Sequence, residues 1–459
     1  MKTTDLKLTR RRFLVGLAAS AATFALPAMA ATERQTIVVL TNHNDDTFSL
    51  FEEAFEKAQT RYRLKFVWLM PPDAMKMLRR EDSNTPDVWW QAAPHNHLAD
   101  LSRENILQPL HIATDGLPSS IGNVPLVDEQ DFYRATQLTA FSFLVNRKAL
   151  KDQLLPWPDD WSVLAQPEYA GKVGLSDPTK VRFGSIVIEV ALQGYGWDKG
   201  WALLSEITGN AVLLASGLTD ELSNYRQPVS LAASYPVSSS PLPVAVHIDT
   251  VPNAEQRFRE PLDRVYPKHG GIINAGYIGI LKRTTQLEGA RAFVNFVLSD
   301  AGQRLLPHTD LPRLPVRPAV YQQLNEKQFN PFAAQDAGQL TYKAIDSTSR
   351  SALLETLFSS MIGNHAELSH QWQRLHKAEK LASPVPNEKV AAARLALQQV
   401  PITSVVADSE EIKQAFVPAR DKDGKNMPSE AAKKFTAAWI EIHRNNLAQV
   451  ARLLDEVGV

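Results

Sequence analysis

The chain has 459 residues, a formal net charge of −1, 22% charged and 44% hydrophobic residues, and no cysteine. So even a balance offers no electrostatic footprint for nucleic acid or an anionic membrane, and the length allows two or three domains with conventional cores. The lack of cysteine excludes thiol catalysis, iron–sulfur clusters, cysteine-based zinc sites and a disulfide framework.

The N-terminus reads as a targeting segment. Lys2, Lys7, Arg10, Arg11 and Arg12 form a basic region, Phe13 to Leu26 an apolar Ala-rich run, and Ala28-Met29-Ala30 a small-x-small site. That order predicts a signal peptide over residues 1–30, cleaved after Ala30, and Thr9 to Leu14 has the twin-arginine form of Tat export. Removing it takes five of the 49 Lys/Arg and one of the 50 Asp/Glu, leaving 44 against 49 and a net charge of −5. The expectation is an exported, periplasmic protein without stable membrane insertion after cleavage.

Thr36 to Leu40 (TIVVL) is a continuous apolar run, as for a parallel strand buried on both faces. It ends in Thr41-Asn42-His43-Asn44-Asp45-Asp46, and a helix follows with Phe48, Leu50, Phe51 and Phe55 inward. Tyr62 to Trp68 reads as the next strand, Met75 to Arg80 as helix, and Pro86 to Trp90 as a third strand. Pro94 suits the first turn of a helix over His97 to Glu104. Strand–helix alternation of this kind predicts α/β architecture with ligand contacts at the strands' C-terminal ends.

Gln137 to Asn146 reads as a long strand, and Pro156-Trp157-Pro158 interrupts the chain before a helical turn anchored by Trp161. A strand at Lys172–Leu175 then feeds a polar loop into a helix from about Gly184 to Gly194, where the glycine stops it. The first backbone N–H groups of such a helix point out of the fold and favour anions. Asp177, Thr179, Arg182 and Ser185 crowd that corner. Taken alone, the same residues describe an ordinary capped helix entry with a solvated arginine. Further on, Gly196 to Ile207 reads as helix, Val212 to Ala215 as strand, and Leu218 to Tyr225 as a short helix. Val229 to Tyr235, Pro243 to Ile248 and Gly271 to Leu281 read as strands, and Gln286 to Leu298 as a helix with Phe293 and Val297 inward. Beyond residue 320, Ser349 to Lys380, Glu388 to Val400 and Ser429 to Asp455 are amphipathic helices punctuated by Pro384, Pro386, Pro401 and Pro418. They are expected to pack on the second lobe as a helical appendage.

Catalytic and metal signatures are sparse. His95-Asn96-His97 offers two imidazoles where zinc wants three or four ligands. No Gly-x-Ser-x-Gly, Ser-x-x-Lys or His-Glu-x-x-His occurs, and Asp45-Asp46 suit a helix N-terminus better than paired acid–base work. No metal, cofactor or catalytic residue is expected.

Four stretches carry a family resemblance: TPDVWW with DLSRENILQPL after it, DWSVLAQPEYAGKVGLSDPT, INAGYIGILKRTTQLEGARAFVNFVLSDAGQRLL, and LPVRPAV. Over residues 34–320 the chain resembles the periplasmic solute-binding proteins of bacterial ABC importers, in the branch with ferric-ion, phosphonate and phosphoglycerate binders. The phosphoglycerate-transport members are similar also in being longer than the family minimum. The resemblance implies a two-lobed periplasmic-binding-protein fold (type II), α/β in both lobes, with a C-terminal helical extension. Residues 31–136 and 275–320 would form the first lobe, 137–274 the second with its hinge strands, and 321–459 the extension. The hinge crossings would fall at Gln137–Asn146 and Ile272–Gly279.

Ligand contacts are implied at Asn42, His43 and Asn44 after the first strand, and at Gln91 and Ala92 after the third. Thr179, Arg182 and Ser185 would line the helix corner, with Tyr235 at a strand end. Ferric members present two adjacent tyrosines there, whereas Pro236 follows Tyr235. With Arg182 at a helix N-terminus, an organic anion, phosphorylated or carboxylated, is the implied ligand. Its partner would be a membrane ABC permease or a sensor, and the receptor a monomer with no part in nucleic-acid binding. A ferric-ion binder of the same fold and a secreted α/β enzyme are the alternatives.

Overall fold

The computed structural model describes residues 34–80, 85–92, 96–177, 184–214, 242–248, 262–269, 271, 273–308, 313–324, 329–336, 348–382, 387–420 and 426–459. The leader, Pro94, His95, Thr179, Arg182, Tyr235, and the helix and strand read at 218–225 and 229–235 lie outside the described residues.

One mixed sheet runs through the molecule in the order β2-β1-β3-β12-β7-β10-β8-β9. The first lobe opens with β1 (Gln35–Thr41), flanked in parallel by β2 (Tyr62–Trp68) and β3 (Val88–Trp90). Burial on both sides is why this strand is an unbroken apolar run. Between them lie α1 (Asp45–Ala58) and α2 (Pro71–Leu78), and α3 (His97–Arg103) follows β3. Phe51 and Phe55 of α1 pack against Phe293 and Trp90 in the first core. Short pairings at β4 (Leu107–Gln108), β5 (Ser120–Ile121) and β6 (Val124–Pro125) lead to β7 (Tyr133–Asn146).

β7 serves both lobes. Its first half pairs with β12 (Ile273–Leu281), from Gly279↔Tyr133 to Ile273↔Ala140. Its second half pairs with β10 (Val244–Ile248) and β11 (Leu262–Val265). Core contacts change face along the way. Leu138 and Ala140 belong to the first core, whereas Phe143 and Val145 belong to the second. Side chains alternate along a strand, so Leu138 and Ala140 share one face while Phe143 and Val145 lie on the other. Thr136, Gln137, Thr139 and Ser142, around the changeover, are polar and buried.

The second lobe holds α4 (Arg147–Asp152), α5 (Trp161–Leu164), β8 (Val173–Ser176), α6 (Gly184–Tyr195), α7 (Trp197–Asn210) and β9 (Ala211–Leu214). Helix α6 runs past Gly194. The stop falls at Gly196, whose φ of 82° lies in the left-handed region that glycine enters without strain. After β12 come α8 (Leu287–Leu298), α9 (Asp300–Gln303), the two-residue β13 (Leu314–Pro315) and α10 (Pro331–Asp336).

The extension is α11 (Thr348–Ile362), α12 (His365–Ala382), α13 (Glu388–Gln398), α14 (Ser404–Ala407), α15 (Glu410–Ala415), the small hairpin β14 (Ala419–Arg420) with β15 (Asn426–Met427), and α16 (Glu430–Asp455). The amphipathic stretch read as one helix over Ser349 to Lys380 is two, parted at Gly363-Asn364. These helices share one core with the second lobe: Leu354, Phe358, Trp372, Leu375, Val450 and Leu454 join Phe143, Trp161, Ile188 and Leu204. Specific bonds register the contact. The Trp197 Nε1–H donates to the Ile402 carbonyl at 2.9 Å, and the Ser205 hydroxyl to the Leu397 carbonyl at 2.7 Å. Among the described residues no helix is long and apolar enough to cross a membrane.

Candidate functional site

β1 and β3 end side by side, Thr41 opposite Trp90, so the residues after them share one edge of the sheet. The Asn42 side-chain oxygen accepts the Ala92 backbone N–H at 2.8 Å, tying the two loops together. Gln91 exchanges both backbone hydrogen bonds with Tyr277, at 2.7 and 3.0 Å, and its side-chain oxygen accepts the His97 N–H at 3.2 Å. Asn44 stands before α1 in extended conformation, where its side-chain oxygen accepts the Thr47 hydroxyl. Asp45 and Asp46 occupy the exposed first turn, where their charge suits the helix dipole.

His43 lies at the centre. It is 1% exposed, and its ring is tilted over that of Trp90 at 4.1 Å between centroids. Trp90 is itself held by its Nε1–H, which donates to the Thr136 hydroxyl at 3.0 Å. Neither ring nitrogen of His43 has a hydrogen-bond partner in the structure. Burial, and then the positive charge of Arg313, hold its pKa well below the usual histidine value. The imidazole is therefore neutral near pH 7, with one donor and one acceptor.

Gln137 of β7 is 0% exposed, and its amide oxygen and nitrogen likewise lack partners. It faces Gly276 on β12. A Cβ at Gly276 would stand 2.7 Å from both the Gln137 amide nitrogen and the Gln91 carbonyl, so only glycine lets the two strands close here. The register slips between Gly276 and Tyr277, a bulge of the kind that re-aims side chains beside binding sites.

Arg313 precedes β13, whose Leu314 pairs with Leu138 and Pro315 with Gln137. Pleat alternation puts Arg313 on the face that Gln137 occupies, and Leu314 on the core face. Arg313 is 9% exposed. A buried polar group left unpaired costs about 1–3 kcal/mol, so unpaired donors and acceptors gathered around one buried guanidinium suit a polar guest.

The helix corner in the second lobe differs from its sequence reading. Ser185 is buried, and the Glu355 carboxylate of α11 takes hydrogen bonds from its side chain and backbone. Burial raises the pKa of Glu355, while the two bonds from Ser185 pull it down without cancelling the rise. An anion from the extension thus already sits at the start of α6. Thr179, Arg182 and Tyr235 are beyond the described residues. In the His95-Asn96-His97 stretch, Asn96 caps α3 by accepting the Ala99 N–H, and the His97 ring stacks parallel to Trp89. Among the described residues no three His, Asp or Glu side chains gather as a metal shell.

Sequence reasoning therefore reached Asn42, His43, Asn44 and Gln91 but missed Trp90, Gln137, Gly276 and Arg313 as parts of this locus. Gln137 was one of several polar residues along its strand, so nothing local singled it out.

Residues 84–337 match the family of bacterial extracellular solute-binding proteins. The chain is 29% identical over 281 residues to the phosphoglycerate transport regulatory protein PgtC of Salmonella typhimurium. That alignment covers 60% of this chain and 64% of the relative, so the chain spans just under two thirds of PgtC's length. Among solved structures, the spermidine/putrescine ABC transporter substrate-binding protein PotD of Streptococcus pneumoniae superposes with a TM-score of 0.50 at 15% identity. The superposition covers 74% of this chain and 98% of PotD. The periplasmic binding protein AfuA of Actinobacillus pleuropneumoniae, with fructose-6-phosphate bound, gives a TM-score of 0.45 at 18% identity. It covers 64% of this chain and 89% of AfuA.

Proposed function

The chain belongs to the bacterial extracellular solute-binding proteins, and from that premise we propose that it is a periplasmic receptor for a small organic anion, phosphorylated or carboxylated. It captures the solute between its lobes and passes it to a membrane ABC permease or a sensor. One observation carries this reading: the unpaired imidazole of His43 and amide of Gln137, both buried, lie with Arg313 at the ends of β1 and β3. Such a locus binds and releases; nothing in its chemistry calls for a nucleophile or a general base. Asn42, Asn44 and Gln91 set the loops around it, and Thr179, Arg182 and Tyr235 are the proposed contacts from the second lobe, where Ser185 is held by Glu355. The similarity to PgtC, a phosphoglycerate transport regulatory protein, supports a phosphorylated three-carbon acid as the first class to test. A ferric ion is the weaker alternative, because Arg313 places positive charge within reach of His43, and in the sequence Pro236 rather than a second tyrosine follows Tyr235.

A thermal-shift screen of three-carbon phosphates, phosphonates, polyamines and ferric citrate tests the class. A phosphorylated acid at one hundred times its Kd should add about 2.7 kcal/mol of stability by mass action. Stabilisation by ferric citrate or a polyamine alone would overturn the anion reading. A micromolar complex requires only about −8 kcal/mol, which a few charge-assisted bonds can supply.

We further propose that residues 31–136 with 275–320 move as one lobe against 137–274, with β7 and β12 as the hinge. The changeover of core faces between Ala140 and Phe143 supports this, since two separate cores meet there on one strand. Small-angle scattering at saturating ligand should show a smaller radius of gyration than the unliganded protein. An unchanged radius would refute lobe closure.

A further inference from the structure

We infer that Arg313 is the residue that grips the acid of the solute, while the imidazole of His43 and the amide of Gln137 read hydroxyl groups beside that acid. The inference rests on the solute-receptor reading and deepens it, since it makes the solute a hydroxylated organic anion.

Three independent features lead there. First, the β13–β7 register sets Arg313 on the face of Gln137, and its charge acts directly on His43. The three groups therefore form one locus although Arg313 is 176 residues from Gln137 and 270 from His43 along the chain. Second, the chemistry of that locus is asymmetric. A guanidinium keeps its charge and offers a planar fork that fits carboxylate or phosphate oxygens in parallel. The neutral imidazole and the amide each offer a donor and an acceptor, as a hydroxyl requires. His43 and Gln137 carry no charge to complement a second acid or an amine. Third, the alternative anion site at the start of α6 is already served from within, because Ser185 bonds the Glu355 carboxylate. A solute acid would have to displace that carboxylate to bind there.

Calorimetry on the full chain with 3-phosphoglycerate, D-glycerate and glycerol, for wild type, Arg313→Gln, Arg313→Lys and Arg182→Ala, separates the possibilities. Arg313→Gln should weaken 3-phosphoglycerate about 10- to 100-fold, the worth of bonds to a charged group. Arg313→Lys should retain more affinity, because it keeps the charge but loses the fork, and glycerol should bind far more weakly than either acid. A ligand-free readout accompanies it: the His43 ring should titrate at higher pH in Arg313→Gln than in wild type, by NMR. Wild-type affinity in Arg313→Gln, a loss confined to Arg182→Ala, or an unmoved His43 titration would each overturn the inference. If the wild type holds an uncharged or cationic solute that Arg313→Gln does not affect, the receptor reading stands and this inference falls. If no solute binds at all, both fall.

Discussion

Trp372→Ala should lower the unfolding free energy by about 3–5 kcal/mol, the cost of truncating a fully buried tryptophan. Trp372 is 0% exposed on α12 and fills the seam between the extension and the second lobe. It fits because α7 carries glycine at position 209. A Cβ there would come within 2.4 Å of the indole. The Trp372 Nε1–H donates to the Ser205 hydroxyl at 3.2 Å, and the Arg394 guanidinium lies 5.2 Å from the ring centroid. Truncation therefore opens a cavity, strips Ser205 of a donor and removes a cation–π contact together. Gly209→Ala approaches the same seam from the other side and should cost about 1–3 kcal/mol by overpacking. In the Trp372→Ala background that second change should be nearly silent, because the atoms it strikes are gone. Additive losses in chemical denaturation would show that the two residues do not share a seam.

That seam also shows what a reading of sequence reaches. The apolar run of β1 and the amphipathic period of α12 were visible, because each is a local pattern in burial. So were His43 and Gln91, which follow strands whose ends could be located. Gly209 carried no sign of its partner, since nothing along α7 announces an indole arriving from 163 residues away. Arg313 was hidden for a similar reason. β13 is only two residues long, too short to display any period, and its pairing with β7 is entirely non-local. The Ser185 corner was legible as a helix start, but that Glu355 serves it depends on how α11 docks on α6. Local geometry was readable, whereas the partner of each surface was not.

Glu206→Ala should be comparably costly, at about 3–5 kcal/mol, because it leaves buried positive charge short of its counter-charge. Glu206 of α7 accepts from Arg394 at 3.0 and 3.1 Å and from the His376 Nε2 at 2.7 Å, so one carboxylate joins α7, α12 and α13. Arg394 also donates to Glu379, which ties α12 to α13 a second time. The Glu206 side chain is 12% exposed, which limits the screening that makes surface pairs weak. Burial works to raise its pKa, but the bonds from His376 and Arg394 more than offset this and hold it below the usual carboxylate range. A depressed folded value means that the contribution is complete above the unfolded pKa and is lost as pH falls through the folded one. Wild type should therefore lose more stability than Glu206→Gln when pH drops from neutrality to about 4. The double variant Glu206→Ala/Arg394→Ala should cost less than the two single losses together, since it removes both charges of the pair. A Glu206→Ala protein within 1 kcal/mol of wild type, with the flat threshold set by ordinary surface substitutions, would mean that the apolar seam around Trp372 holds the extension by itself.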